Sequence, residues 1–129
     1  MLNRSESSPR FRTYGAAPFN VVLVHGGPGA AGEMASLAAE LAADRGVLEP
    51  LQTASSVAGQ IAELINVIEN QGTSPVVLVG FSWGAWLSLM VAAQHPAHVA
   101  KLILIGCGPF EEHFAAAADG EWQGQLELE

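Results

Sequence analysis

Residues 76–84 read Val-Val-Leu-Val-Gly-Phe-Ser-Trp-Gly, an apolar run that ends in a serine with a glycine two positions to either side. A continuous run of aliphatic residues without alternation predicts a strand that is buried on both faces, as in a parallel sheet. The residues from Trp86 to Val91 are apolar nearly all round and predict a buried helix. The stretch therefore predicts a strand, a sharp turn at Ser82 and a helix.

The turn has the pattern G-x-S-x-G, formed by Gly80, Ser82 and Gly84. Between a strand and a helix, this pattern places the serine on a strained turn from which its hydroxyl projects. The flanking residues must be small because strand and helix pack tightly there. The free N–H groups and the positive dipole end of the helix can stabilise a developing oxyanion. These features predict Ser82 as a nucleophile and the backbone N–H of Trp83 as an oxyanion donor.

A second glycine-rich stretch, His25-Gly26-Gly27-Pro28-Gly29, follows the strand-like run Phe19–Val24. In a doubly wound sheet, ligands bind at the carboxyl ends of the strands. If the strand at 19–24 lies beside the strand at 76–79, the two loops converge at that edge. The glycine-rich loop would then supply the second oxyanion donor.

The rest of the chain alternates between strand and helix patterns. One helix face is formed by Met34, Leu37, Ala38 and Leu41, and Gly46 is predicted to end that helix. A short strand follows at Val47-Leu48, then a helix capped by Ser55 or Ser56 and a last strand at Lys101–Ile105. This rhythm predicts the α/β class, a three-layer αβα arrangement with a mainly parallel sheet of four to five strands and helices on both faces.

We expect three regions in the chain. Residues 1–18 are a tail that contains at most one edge strand, residues 19–110 form the core with both loops, and residues 111–129 are a tail or a short helix. The length of 129 residues suits one domain.

Composition narrows the classes of partner and compartment. The net charge of −8 disfavours nucleic acid and anionic membrane surfaces as partners. The single cysteine, Cys107, allows no intramolecular disulfide, and residues 1–12 lack an apolar signal segment. We therefore expect a cytoplasmic protein. The four histidines and the cysteine are not at ligand spacings, so no metal is expected. Acyl transfer by a serine needs no cofactor, so none is expected either.

The stretches 22–29, 80–86 and 101–106 together resemble the α/β-hydrolase superfamily, and the H-G-G-P-G loop and Ser-Trp-Gly elbow resemble its prolyl aminopeptidase-like branch. The resemblance covers roughly residues 20–110. It implies Ser82 as the nucleophile and the backbones of Gly27 and Trp83 as oxyanion donors. We expect His25, Gly26 and Phe81 to contact a substrate, which would be a small ester or amide or a short peptide.

The resemblance also implies an acid and a histidine after the nucleophile, on later strands. Beyond the last predicted strand the chain has one histidine, His113, which is the candidate general base. His95 and His98 follow the far end of the elbow helix, on the order of 15–18 Å from Ser82. Because the acid and base of a triad are not identifiable, we expect weak or no activity from this chain alone.

Two other interpretations remain open at this stage. Gly27, Gly29 and Gly32 match G-x-G-x-x-G, and Glu49 lies where a ribose-binding acid would follow, which is typical of a dinucleotide-binding half-domain. Alternatively, the chain is a non-catalytic scaffold derived from a hydrolase. If the chain is a hydrolase or a scaffold derived from one, the strand at 101–105 would be an exposed edge, which predicts a homo-oligomer.

Overall fold

Strands and helices alternate along residues 10–27 and 30–106, the part of the chain that the computed structural model describes. The strands are β1 (Arg10–Tyr14), β2 (Phe19–Val24), β3 (Gly46–Leu51), β4 (Val76–Phe81) and β5 (Val99–Ile105). The α-helices are α1 (Ala35–Leu41), α2 (Val57–Gln71) and α3 (Trp83–Gln94), and a 3₁₀ turn at Pro96–His98 precedes β5.

The strands form one sheet in the order β1-β3-β2-β4-β5. Strands β3, β2, β4 and β5 are parallel, and β1 pairs antiparallel with β3. The mainly parallel sheet predicted from the β-α rhythm is therefore confirmed. Strand β2 lies directly beside β4, with Val22 opposite Leu78. The loops that follow these two strands consequently leave the sheet at the same edge.

The helices cover both faces of the sheet, as predicted. On one face, α2 and α3 pack on the sheet through a fully buried cluster that includes Leu78 and Leu87. On the other face, Ala38 of α1 and Met34, which directly precedes that helix, pack with Leu23 and Val47. Alternate residues of β2 thus enter different clusters, which explains why the strand reads as a continuous apolar run.

The predicted end of the first helix is wrong. Helix α1 ends at Leu41, and Gly46 is instead the first residue of β3. A Cβ at Gly46 would lie 2.4 Å from the carbonyl oxygens of Ala16 and Pro18, so the glycine is required by close backbone approach. Helix α2 does begin with a serine cap, because the Ser56 hydroxyl accepts a hydrogen bond from the Gly59 N–H at 3.0 Å.

Strand β5 lies at one edge of the described sheet and is poorly covered. Ile103 and Ile105 are 41% and 39% exposed, although both are large aliphatic residues. Residues 107–129 lie outside the described part, so the expectations for Cys107, for His113 and for the segment 111–129 also lie outside it. Within the described residues, no helix combines the length and apolar character needed to cross a membrane.

Candidate active site

Ser82 occupies the sharp turn between β4 and α3. Its backbone has φ 57° and ψ −119°, a left-handed conformation that a non-glycine residue rarely adopts. Such a conformation costs on the order of 1–3 kcal/mol and persists only when the surroundings enforce it. Two hydrogen bonds of 2.9 Å do so: the Ser82 N–H donates to the Ile105 carbonyl, and the Ser82 carbonyl accepts from the Ala85 N–H.

The two glycines of the elbow are required by backbone contacts. A Cβ at Gly80 would lie 2.3 Å from the carbonyl oxygen of Gly84. A Cβ at Gly84 would lie 2.1 Å from the carbonyl oxygen of Val24 and 2.5 Å from that of His25. Distances under 3 Å leave no room for a side chain at either position. The G-x-S-x-G spacing thus lets α3 start directly against the end of β2.

The glycine-rich loop reaches Ser82, as the neighbouring positions of β2 and β4 require. A Cβ at Gly26 would lie 3.1 Å from the Ser82 Cβ and 3.2 Å from the carbonyl oxygen of Phe81. Gly27 comes next and faces open space, with nothing within 4 Å of a Cβ built there. Because Trp83 is the first residue of α3, the helix itself does not use its N–H. The structure therefore places both predicted oxyanion donors in the segments that border Ser82.

His25 is 1% exposed, and both of its ring nitrogens are in hydrogen bonds. Nε2 accepts from the Gln52 N–H at 3.0 Å, so Nδ1 carries the proton and donates to the Gly26 carbonyl at 2.8 Å. The Gln52 side-chain amide in turn donates to the His25 carbonyl at 2.7 Å. His25 thus ties the loop to Gln52, the residue that follows β3.

The Gly26 carbonyl and the Gly27 N–H belong to one trans peptide unit. Because the His25 ring holds that carbonyl, the Gly27 N–H points to the opposite side of the peptide plane. The buried histidine of the motif therefore sets the direction of the Gly27 N–H, the predicted oxyanion donor.

Glu33 is a member of this region that the sequence patterns did not single out. Its Oε2 atom accepts a hydrogen bond of 2.6 Å from the Gly26 N–H. The carboxylate and the Ser82 side chain flank the same glycine, because a Cβ at Gly26 would lie 3.0 Å from Glu33 Oε2. Glu33 lies seven residues after Gly26, a spacing that matches no known sequence motif, so the sequence alone did not predict this contact.

The side chain of Trp83 is held by a second contact that the sequence did not predict. Its indole N–H donates to the Gln60 side-chain oxygen at 2.7 Å, and the Gln60 amide donates to the Ala54 carbonyl at 3.0 Å. The Thr53 N–H and hydroxyl both donate to Glu63. Hydrogen bonds therefore join the loop after β3 to α2, and Gln60 of α2 also binds Trp83, the residue after Ser82.

Phe81 precedes Ser82 and is 38% exposed. Strand pairing places it opposite Ile105, which is also exposed, and the Phe81 ring lies 3.5 Å from a Cβ built at Gly106. An apolar surface thus borders the nucleophile on the β5 side. We call Phe81, Ile103 and Ile105 the β5 apolar patch.

The described histidines do not supply a general base for Ser82. His25 is buried in the loop, and the ring of His98 is held by Glu69 at 3.2 Å and Ser74 at 3.1 Å beyond the far end of α3. His95 ends α3 at the same side. His113, the candidate base, lies outside the described residues. Among residues 10–27 and 30–106, no three metal-binding side chains gather.

The structure removes the basis of the dinucleotide interpretation. Glu49 is fully buried, and its Oε1 atom accepts a hydrogen bond of 2.9 Å from the Tyr14 hydroxyl. Burial and this bond to a carboxylate raise the Tyr14 pKa, while Arg12 acts in the opposite direction. A carboxylate covered by β1 cannot reach a ribose. Gly32 does have a positive φ of 90°, and Gly29 lies outside the described residues.

A family model described as alpha/beta hydrolase fold matches residues 53–127. Lipase LipV of Mycobacterium tuberculosis (strain ATCC 25618 / H37Rv) is 36% identical over 50 residues, which are 39% of this chain and 19% of the lipase.

Solved structures resemble the chain over most of its length. A thioesterase domain from the curacin biosynthetic pathway is 27% identical, with a TM-score of 0.66 over 91% of this chain and 47% of that one. A Bacillus megaterium epoxide hydrolase has a TM-score of 0.71 at 20% identity, over 92% of this chain and 45% of that one, which shows a shared fold. The chain spans about half the length of these structures.

Proposed function

Because the chain belongs to the α/β-hydrolase fold family, we propose that it carries the nucleophile of a serine hydrolase that cleaves ester or amide bonds through Ser82. The observation that carries this proposal is the left-handed backbone of Ser82 beside the glycine-rich loop, with Gly26 in contact range of the serine side chain. A strained backbone at an exposed nucleophilic residue is typical of catalytic sites.

The proposed reaction starts with attack of Ser82 Oγ on the substrate carbonyl carbon. The Oγ–C bond forms, the hydroxyl proton passes to a base, and the carbonyl π electrons move to the oxygen. The N–H groups of Gly27 and Trp83 would stabilise that oxyanion. Collapse expels the alcohol or amine, which takes up a proton, and water then releases the acid from the acyl-enzyme.

The rate of the proposed reaction depends on a general base that takes the proton from Ser82. Removal of triad members from serine hydrolases lowers kcat by about 10⁴–10⁶. We therefore propose weak Ser82-dependent turnover for this chain, with His113 as the candidate base. The same consideration favours a second candidate, a non-catalytic scaffold, because no described histidine reaches Ser82.

The surface beside Ser82 favours an uncharged substrate with an apolar acyl group, because Phe81 and Ile105 of the β5 apolar patch border the serine. The relatives named as a lipase and a thioesterase domain support an acyl hydrolase. The H-G-G-P-G loop supports the prolyl aminopeptidase-like branch and, with it, small amides or short peptides as further substrates.

Hydrolysis of p-nitrophenyl esters with acetyl, butyryl and octanoyl groups tests the proposal. The wild-type chain should release p-nitrophenol faster than the Ser82→Ala variant, with a preference for the longer acyl groups. The Ser55→Ala variant, which alters an exposed loop serine, is the matched control and should behave like the wild type. Equal rates for the wild type and Ser82→Ala would favour the non-catalytic scaffold.

A further inference from the structure

Glu33, which lies two residues before α1, binds the glycine-rich loop through its side chain. Its carboxylate accepts the Gly26 N–H at 2.6 Å, across seven residues of chain. Two backbone hydrogen bonds lie in the same region: the Ala30 N–H donates to the Gly27 carbonyl at 3.3 Å, and the Glu33 N–H donates to the Ala30 carbonyl at 3.0 Å. Glu33 is therefore bonded to Gly26 by its side chain and to Ala30 by its backbone.

Gly26 is held on both of its peptide units. The N–H belongs to the unit shared with His25 and is bound by Glu33, while the carbonyl belongs to the unit shared with Gly27 and is bound by the His25 ring. A glycine without such contacts has more backbone freedom than any other residue. A rotation at Gly26 would change the direction of the Gly27 N–H, the proposed oxyanion donor.

We infer that Glu33 is a positioning residue: its carboxylate fixes Gly26 and thereby aims the Gly27 N–H at the oxyanion. This inference rests on the proposed function of Ser82. The contact that fixes Gly26 requires an acceptor oxygen at that place, and both a carboxylate and a side-chain amide provide one. A glutamine, which keeps the acceptor, should therefore replace it.

Steady-state kinetics of Glu33→Ala and Glu33→Gln test this role, with Glu40→Ala as the matched control at an exposed glutamate of α1. Loss of one oxyanion donor costs about 10²–10³ in kcat, and a misdirected donor should cost less, about tenfold. We expect Glu33→Ala to lower kcat by about this factor with little change in KM. Glu33→Gln should restore most of the loss, and Glu40→Ala should have no effect.

Amide hydrogen exchange at Gly26 supplies a readout that needs no turnover. Loss of a hydrogen bond to a charged acceptor should speed exchange of the Gly26 N–H by about tenfold or more in Glu33→Ala, but not in Glu40→Ala. A kcat of Glu33→Ala equal to the wild type, a Glu33→Gln variant as impaired as Glu33→Ala, or unchanged exchange at Gly26 would overturn the inference. Absent Ser82-dependent turnover with faster Gly26 exchange would instead overturn the proposed function and uphold the loop contact.

Discussion

Gly84 approaches Val24 so closely that a Cβ on the glycine would lie 2.1 Å from the valine carbonyl oxygen. This contact joins the first turn of α3 to the last residue of β2. It thereby brings the elbow that carries Ser82 against the loop that begins at His25. Backbone contact thus helps to set the position of Ser82 relative to the glycine-rich loop, together with the side-chain hydrogen bonds of His25 and Glu33.

Replacement of Gly84 by alanine should therefore separate the two segments. We expect Gly84→Ala to lower the free energy of unfolding by about 3 kcal/mol, because Val24 cannot move away without loss of its pairing with Gly80 of β4. Urea denaturation measures the change. Gly27→Ala is the matched control for stability, since a Cβ there meets nothing within 4 Å. Equal stability of the two variants would show that the contact is not rigid.

The strain at Ser82 makes a separate prediction. A glycine adopts a φ of 57° without steric cost, so Ser82→Gly should raise the free energy of unfolding by about 1 kcal/mol relative to Ser82→Ala. The alanine variant removes the hydroxyl but keeps the Cβ and therefore the strain. Urea midpoints of the two variants check this. A Ser82→Gly variant no more stable than Ser82→Ala would mean that the turn carries no strain.

The strands and the site loops were predictable from the sequence because each has a local signal. The unbroken apolar run at 76–79 indicates a strand buried on both faces, and the glycines around Ser82 indicate close packing at a turn. The role of Gly46 was not predictable, because a glycine after a helix pattern is typical of a helix end. Only the sheet shows that this glycine instead admits the backbone of Ala16 and Pro18.

The contacts of Glu33, Gln52 and Gln60 were beyond sequence reasoning for another reason. Each joins residues that no helical or strand period relates, such as Gln52 with His25 or Gln60 with Trp83. The buried position of Glu49 was likewise hidden, since its partner Tyr14 lies 35 residues away in a strand that pairs antiparallel with its own. A polar residue in a short strand pattern does not reveal what covers it.

Tyr14 is the one tyrosine of the chain, so its ionisation can be followed directly. Burial and the hydrogen bond to Glu49 raise its pKa above the usual value near 10. A raised folded-state pKa means that the contribution of Tyr14 to stability is present below about pH 10 and is lost as the pH rises through the folded-state pKa.

Near-ultraviolet absorbance of tyrosinate should thus show a higher midpoint in the native protein than in urea. The stability difference between wild type and Tyr14→Phe should shrink over the same pH range. Replacement of Glu49 by glutamine should lower the native midpoint, because it removes the neighbouring negative charge. A native midpoint at or below that of the unfolded chain would contradict the hydrogen bond between Tyr14 and Glu49.

The edge of β5 predicts self-association. Ile103 and Ile105 are exposed beside Phe81, and an edge strand with apolar residues pairs readily with a second chain. We expect sedimentation velocity to show dimers or larger species that Ile103→Lys dissociates. Val57→Lys changes an aliphatic residue of α2 that is 48% exposed and should leave association unchanged. A wild-type monomer at high protein concentration would contradict this prediction.

Covalent labelling of Ser82 tests the central claim most directly. A fluorophosphonate reacts with a serine whose hydroxyl is activated beside oxyanion donors, and intact mass with peptide mapping identifies the site. We predict labelling at Ser82 in the folded chain, its absence after unfolding in urea and its absence in Ser82→Ala. Labelling of the folded chain that is no faster at Ser82 than at the exposed Ser55 would contradict the assignment of Ser82 as a nucleophile.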